Sequence, residues 1–205
     1  MTRCQGFSWL EITLTGREAH TGSTPMTMRS DAALAMARIM EMVQQLAMRH
    51  QPEAVGSVGQ VLFSPNSRNV LPGKVVFTVD VRSPDPEKLA FLHAEVEQEA
   101  SRIAASLNVG IEFQSVGRVE PVVFDPILVD TVRNVAQDLD ISHMDIVSGA
   151  GHDACWLARV VPATMIMCPC VGGISHNEAE EISPQWAEAG ANVLLHAALA
   201  TADAS

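Results

Sequence analysis

The chain has 205 residues, of which 47% are hydrophobic and 18% charged, a balance that predicts a buried core and excludes a disordered segment. Its formal net charge of -11 argues against nucleic acid and against an anionic membrane surface as partners. No apolar run reaches the roughly 18 residues of a spanning helix, and Met1-Thr2-Arg3-Cys4-Gln5-Gly6 has no apolar signal core behind it.

From Trp9 to Thr15 the residues alternate, with Leu10, Ile12 and Leu14 on one face, which predicts a half-buried strand closed by Gly16. Residues 30 to 48 predict a helix capped by Ser30, with Leu34, Ala37, Met40 and Leu46 among its apolar positions. Residues 57 to 63 predict a second strand. Asn66 to Gly73 predicts a turn. Val75, Phe77, Val79 and Val81 alternate with Val76, Thr78, Asp80 and Arg82 in a third strand, broken by Pro84-Asp85-Pro86. A second helix carries Leu89, Leu92, Val96, Ile103 and Leu107, and residues 110 to 116 predict a fourth strand. The order β-α-β-β-α-β is the ferredoxin-like pattern, so residues 7 to 117 are expected to form one domain.

Residues 118 to 205 read differently. Asp125 and Pro126 suit the N-cap and first turn of a helix with Ile127, Leu128, Val132, Val135 and Leu139 at helical spacing. Val160 to Cys168 is nearly continuous apolar, the pattern of a strand inside a parallel sheet with both faces covered. Ser183-Pro184 opens a last helix with Val193, Leu194 and Ala197. One or two central strands cannot be covered by so short a segment, so it is expected to be the C-terminal part of a larger α/β domain whose other strands lie outside this chain. The four cysteines, Cys4, Cys155, Cys168 and Cys170, do not form two spaced pairs, which rules out a zinc ribbon. They read as reduced, packed thiols, with Cys168 and Cys170 on one side of a strand, and the cytoplasm as the natural compartment.

Four clusters can carry chemistry. Gly16-Arg17-Glu18-Ala19-His20-Thr21-Gly22-Ser23-Thr24-Pro25 presents His20 after a strand among small residues, although an ordinary loop histidine would look the same. Asn66 to Gly73 contains Asn69, and Asn and Gly are also common turn residues. Arg82, in Asp80-Val81-Arg82-Ser83-Pro84, lies opposite the Val75, Phe77 and Val79 face, where a guanidinium can grip a carboxylate or simply be a solvated edge charge. The last cluster is split between Ser148 to Ala154, with Gly151 and His152, and Gly172 to Glu180, with His176. Loops at strand C-termini are where open α/β sheets hold ligands. A single histidine makes no catalytic zinc site, which needs about three protein ligands.

Taken in order, these strings resemble the carbamoylase branch of the dinuclear-metal aminoacylase and carboxypeptidase superfamily, whose members include N-carbamoyl-L-amino-acid hydrolase, allantoate amidohydrolase and β-alanine synthase. The resemblance rests on residues 16 to 26, 64 to 73, 148 to 154 and 174 to 180, and extends over nearly the whole chain. It implies that residues 7 to 117 are a lid that dimerises, and that His20 reaches into the partner subunit's site to steady the reacting carbonyl. It further implies Asn69 as a companion substrate contact, Arg82 as the carboxylate clamp, Gly151 and His152 as a substrate-contacting loop, and His176 as the last metal ligand.

The same resemblance implies two divalent metal ions in the complete enzyme, zinc first, with manganese or cobalt as alternatives. It assigns the other metal ligands and the general base to an upstream half. No such set precedes residue 7, and Glu180-Glu181 follows His176 rather than preceding the lid. The expectation is therefore a C-terminal half, inactive alone, of a homodimeric enzyme that hydrolyses small ureido acids, with that upstream half as a further partner. Two readings compete with it. One is a non-catalytic dimerisation or substrate-binding module, suggested by the lone metal ligand. The other is an aminoacylase or exopeptidase of the same superfamily, against which the Asn69 and Arg82 clusters weigh.

Overall fold

A computed structural model describes residues 1–203. Its elements in chain order are β1 (Arg3–Cys4), β2 (Gly6–Thr15), β3 (Ala19–His20), α1 (Ala32–Arg49), β4 (Val55–Ser64), β5 (Val70–Leu71), β6 (Lys74–Ser83), α2 (Pro86–Ser106), β7 (Gly110–Val119), β8 (Val122–Val123), α3 (Pro126–Asp138), β9 (Val147–Ser148), α4 (Asp153–Leu157) and α5 (Pro184–Asp203). They divide into two units, Gln5–Pro121 and Met1–Cys4 with Val122–Ser205.

In the first unit a four-stranded antiparallel sheet has the order β4-β6-β2-β7. This is the ferredoxin-like arrangement that the β-α-β-β-α-β order requires, because each helix crosses over one strand before the chain returns to the sheet. The alternation on β2 and β6 decides the faces. Leu10, Ile12 and Leu14 meet Val75, Phe77, Val79 and Val81 under α1 and α2, and all seven are essentially buried. Stripping a ring such as that of Phe77 from this core would cost about 3–5 kcal/mol.

Helix α1 departs from expectation in two ways. Its N-cap is Asp31, not Ser30: one carboxylate oxygen accepts from both Ala33 N and Leu34 N at 3.0 Å. A carboxylate at this position satisfies two orphan donors and complements the helix dipole, and it displaces the hydroxyl one residue earlier. The buried stripe is Ala32, Ala35, Met36, Ile39, Met42, Val43, Leu46 and Ala47, so of the four apolar positions expected inside only Leu46 is buried. Leu34, Ala37 and Met40 face solvent.

In the second unit β1 pairs with β8 antiparallel and with β9 parallel, two residues each. Asp125 caps α3 as expected, accepting from Leu128 N at 2.9 Å, and Pro126 opens the helix. α3 packs on α5 through Val135, Ala136, Val193 and Ala197.

The expected strand from Val160 to Cys168 is not a strand here. Among the described residues no ladder partner reaches it. It is pinned instead by single bonds: the Met1 amino group to Met165 O, Thr164 Oγ1 to Met1 O, and Asp125 N to Ala163 O. A strand exists only as half of a ladder, so an apolar run without a neighbour keeps the composition of a strand and not the structure. Cys168 and Cys170 are accordingly half-buried in an irregular segment, and the four cysteines are reduced thiols. Cys168 Sγ lies so close to Gly190 that any Cβ there would collide with it, which fixes how near α5 comes to this segment.

Candidate active site

The first unit builds its candidate site at the end of the sheet where β2 leaves and β6 enters. Gly16 N donates to Gly73 O at 2.8 Å, and Arg17 N donates to Ser30 O at 2.9 Å. Gly16 has to be glycine, since a Cβ would run into Ser30 O. From this anchor the short β3–β5 ladder pairs Ala19 with Leu71 and His20 with Val70, and Thr21 N continues it to Asn69 O at 2.9 Å. His20 and Asn69 are thus neighbours on two antiparallel segments, both exposed.

The His20 ring is oriented from its own loop. Gly22 N and Ser23 N both donate to Nδ1, at 3.1 and 3.2 Å, and Thr24 N donates to His20 O. An Nδ1 that accepts cannot carry a hydrogen, so the ring's proton sits on Nε2, which faces outward as a donor. Asn69 Oδ1 accepts from Ser67 Oγ at 3.1 Å, which turns the amide NH2, a second donor, outward. Each is a donor of the kind that suits an oxygen gaining negative charge.

Arg82 lies elsewhere. It is at the opposite end of β6 from Lys74, paired with Phe7 and Val55, whereas Lys74 pairs with Thr15. Eight residues of strand separate the two ends, roughly 26 Å at about 3.3 Å per residue. The guanidinium is held by Asp80 through Nε at 3.1 Å to both oxygens and Nη2 at 2.7 Å, and it lies over the Phe7 ring at 5.7 Å. Phe7 in turn stacks on Trp9 at 4.5 Å.

In the second unit, His152 ends the loop after β9 and precedes α4. Ser148, buried, holds this loop: its Oγ accepts from Ala150 N and lies 3.0 Å from both Ala150 O and His152 Nε2. A carbonyl only accepts, so the hydroxyl donates to Ala150 and Nε2–H of His152 donates to the hydroxyl. Nothing lies within 4 Å of a Cβ built on Gly151, so the glycine is not demanded by this unit's own packing.

His176 stands exposed with a left-handed backbone, φ 56°, an unusual conformation for a residue other than glycine. Glu180 stabilises it: Oε2 accepts from His176 N at 2.9 Å, while Ala179 N donates to Asn177 Oδ1. Among the described residues no group of three or more His, Cys, Asp or Glu side chains could hold a metal ion. Since Glu180 already serves His176's own amide, one imidazole is what this loop offers, and the described residues by themselves do not fit a metal centre.

Three participants escape the sequence reading in their roles: Asp80 as the partner of Arg82, Ser148 as the partner of His152, and Arg29, whose guanidinium reaches the His20 loop. Only Asp80 carries a legible signal, because residues two apart on a strand share a face.

A family model described as Peptidase family M20/M25/M40 matches residues 11–200. An N-carbamoyl-L-amino-acid amidohydrolase of Rhizobium meliloti is 67% identical over 203 residues, 99% of this chain and 49% of that protein. The allantoate amidohydrolase of Escherichia coli is 36% identical over 169 residues, 82% of this chain and 41% of that protein. Among solved structures, an amidase of the hydantoinase/carbamoylase family from Burkholderia multivorans superposes with a TM-score of 0.92 at 49% identity, over 96% of this chain and 48% of that one. The chain spans about half the length of the curated relatives it matches.

Proposed function

Since the chain belongs to peptidase family M20/M25/M40, we propose that it is the C-terminal half of a metal-dependent amidohydrolase that cleaves linear ureido or amide C–N bonds. Its substrates in this reading are N-carbamoyl-L-amino acids first and allantoate second. The likeness to an N-carbamoyl-L-amino-acid amidohydrolase at 67% identity and to an allantoate amidohydrolase supports the substrate class. The observation that carries the chemistry is the short β3–β5 ladder that brings the His20 and Asn69 segments together, Thr21 N donating to Asn69 O, with His20 Nδ1 occupied and Nε2–H presented.

The roles in this reading are those that the resemblance implies, and local geometry supports them. His20 Nε2–H and the Asn69 amide donate to the oxyanion that forms when water adds to the ureido carbonyl. Arg82, steadied by Asp80, holds the substrate carboxylate with a planar fork. Gly151 leaves space for substrate, and His152 beside it is oriented by Ser148. A divalent metal, zinc first, would polarise the carbonyl and activate water in the complete enzyme. His176 is the one ligand this chain would contribute, and no step assigned to this chain passes through the metal.

Strand β6 supports a homodimer as part of this reading. A ureido acid carries its carbamoyl carbon and its carboxylate only a few bonds apart, whereas Arg82 is roughly 26 Å along β6 from the end that bears His20 and Asn69. One small substrate can use both ends only if they come from different copies, so each site would combine one protomer's Arg82 with its partner's His20 and Asn69. Edge strand β4 and helix α1 offer a surface for the pairing. Leu34 and Met40 are exposed there, beside a groove of about 390 Å³ lined by Ala37, Glu41, Gln44 and Ser57 among others.

The second unit supports an upstream partner half. Ile127, Met144, Val160, Val161, Leu194 and Leu195 are all at least half exposed, apolar side chains that a partner half would cover. Reduced thiols fit a cytoplasmic setting, which is part of the proposal. No described helix is long and apolar enough to cross a membrane.

The test is an N-carbamoyl amino acid hydrolysis assay with added zinc, on this chain alone and joined to an upstream half of a relative. The expected result is activity only when joined, reduced on the order of 10²–10³-fold by His20→Ala. Joined protein that binds zinc and folds yet turns over no ureido or amide substrate would favour a non-catalytic binding module instead.

A further inference from the structure

The His20 loop has its donors and acceptors sorted to opposite sides. The amides of Gly22, Ser23 and Thr24 all point at His20, two to Nδ1 and one to its carbonyl. That leaves the carbonyls on the other side without the amides that a continuing helix would bring. One side chain supplies the donors. Arg29 Nη2 donates to Thr21 O at 2.6 Å and to Thr24 O at 2.9 Å, and Arg29 Nε donates to Thr24 O at 3.1 Å. These are charge-assisted bonds in a planar fork, the stronger and more directional kind.

Arg29 is itself held. It follows a short 3-10 turn at Met26–Met28, with its amide on Met26 O, and it immediately precedes Ser30 and the Asp31 cap of α1. Ser30 O receives Arg17 N, and Arg17 Nη2 donates to Met28 O at 2.8 Å. The guanidinium therefore transmits the position of a rigid helix start to a small loop whose amides define the His20 ring.

From this we infer that Arg29 is the positioning residue for His20. By gripping the Thr21 and Thr24 carbonyls it keeps the Gly22 and Ser23 amides on Nδ1, and so keeps Nε2–H as the group His20 presents. Lysine cannot do this, because an ammonium has no planar fork to bridge two carbonyls at fixed spacing. The inference deepens the proposed role of His20 as a hydrogen-bond donor to the reacting carbonyl, and its relevance to turnover rests on that reading.

The experiment uses the full chain with ¹⁵N-labelled histidine and backbone. Wild type should show His20 with a bare, hydrogen-bonded Nδ1 and slowed exchange of the Gly22 and Ser23 amides. In Arg29→Ala the ring resonances should move toward those of a free imidazole, and that protection should be lost, while core amides of β2 and β6 keep theirs. Millimolar guanidinium should restore both signals in Arg29→Ala, and Arg29→Lys should behave like Arg29→Ala. Unchanged His20 ring resonances in Arg29→Ala would overturn the inference. So would loss of the β2 and β6 core protection with no guanidinium rescue, which would make Arg29 a residue of the fold. Kinetics of the complete enzyme separate the two readings. An expected fall in kcat/KM on the order of 10²-fold accompanies the ring change if His20 acts on substrate. A ring change with undiminished turnover keeps the positioning role and removes His20 from the chemistry.

Discussion

Asp80 and Arg82 stand two residues apart on one face of β6, and the carboxylate takes Nε and Nη2 of the guanidinium together. The pair is about a quarter exposed, in a position where it contributes more to orientation than to stability. A pre-aligned fork loses less freedom when a second carboxylate arrives.

This makes Arg82→Lys and Asp80→Asn informative together. In the complete enzyme Arg82→Lys should lower kcat/KM for an N-carbamoyl amino acid by an amount equivalent to about 2–5 kcal/mol. It should matter much less for an analogue whose carboxylate is a neutral amide. Asp80→Asn should give a smaller loss in the same direction, with stability within about 1 kcal/mol of wild type. Steady-state kinetics on acid and amide, with urea unfolding alongside, check this. Equal losses on both substrates would mean that Arg82 holds the sheet rather than the ligand.

The cap of α1 yields a second expectation. Asp31→Ala removes the acceptor of two amides and should cost about 1 kcal/mol of stability. Ser30→Ala should stay within about 0.5 kcal/mol, since its hydroxyl does not cap the helix. Urea midpoints at unchanged slope would show it.

These contrasts mark where sequence reasoning worked. Alternation on β2 and β6 was legible because a sheet with one covered face imposes period two on residues such as Ile12 and Phe77. The β-α-β-β-α-β order then left little freedom in topology. The face of α1 was not legible, because alanine and methionine occupy both its buried and its exposed sides, and periodicity discriminates only when composition does. The run at Val160–Cys168 misled for a different reason: burial on both faces belongs to a whole sheet, and a composition cannot say whether the neighbours are present. His20 and Asn69 could be named from their motifs. Their adjacency needed the β3–β5 ladder, and their distance from Arg82 needed the register of β6.

The glycines supply a third test. Gly16→Ala forces a methyl against Ser30 O and should destabilise the first unit by about 1–3 kcal/mol, shifting the whole unfolding curve. Gly151→Ala meets nothing within 4 Å and should leave unfolding unchanged. If the Gly151 loop faces substrate, Gly151→Ala should instead raise KM in the complete enzyme. A destabilised Gly151→Ala protein would show that the glycine serves the fold.

The last expectation concerns which copies share a site. His20 lies at one end of the sheet and Arg82 at the other, separated along β6 by roughly 26 Å. In the proposed dimer each site joins the His20 of one protomer to the Arg82 of its partner. Complete enzymes carrying His20→Ala or Arg82→Ala should each be nearly inactive, because every site lacks one group. In a mixed dimer of the two, one site loses both groups and the other keeps both. Random reassociation at equal concentrations makes half the dimers mixed, each with one intact site, so activity should recover to about one quarter of wild type. If His20 and Arg82 of the same protomer served one site, every site in the mixed dimer would still carry one lesion, and mixing would restore nothing. The measurement is turnover of an N-carbamoyl amino acid before and after co-refolding the two variants, with sedimentation to show that mixed dimers form. Mixed dimers without recovered turnover would rule out sharing across the interface and, with it, the proposed arrangement of the site.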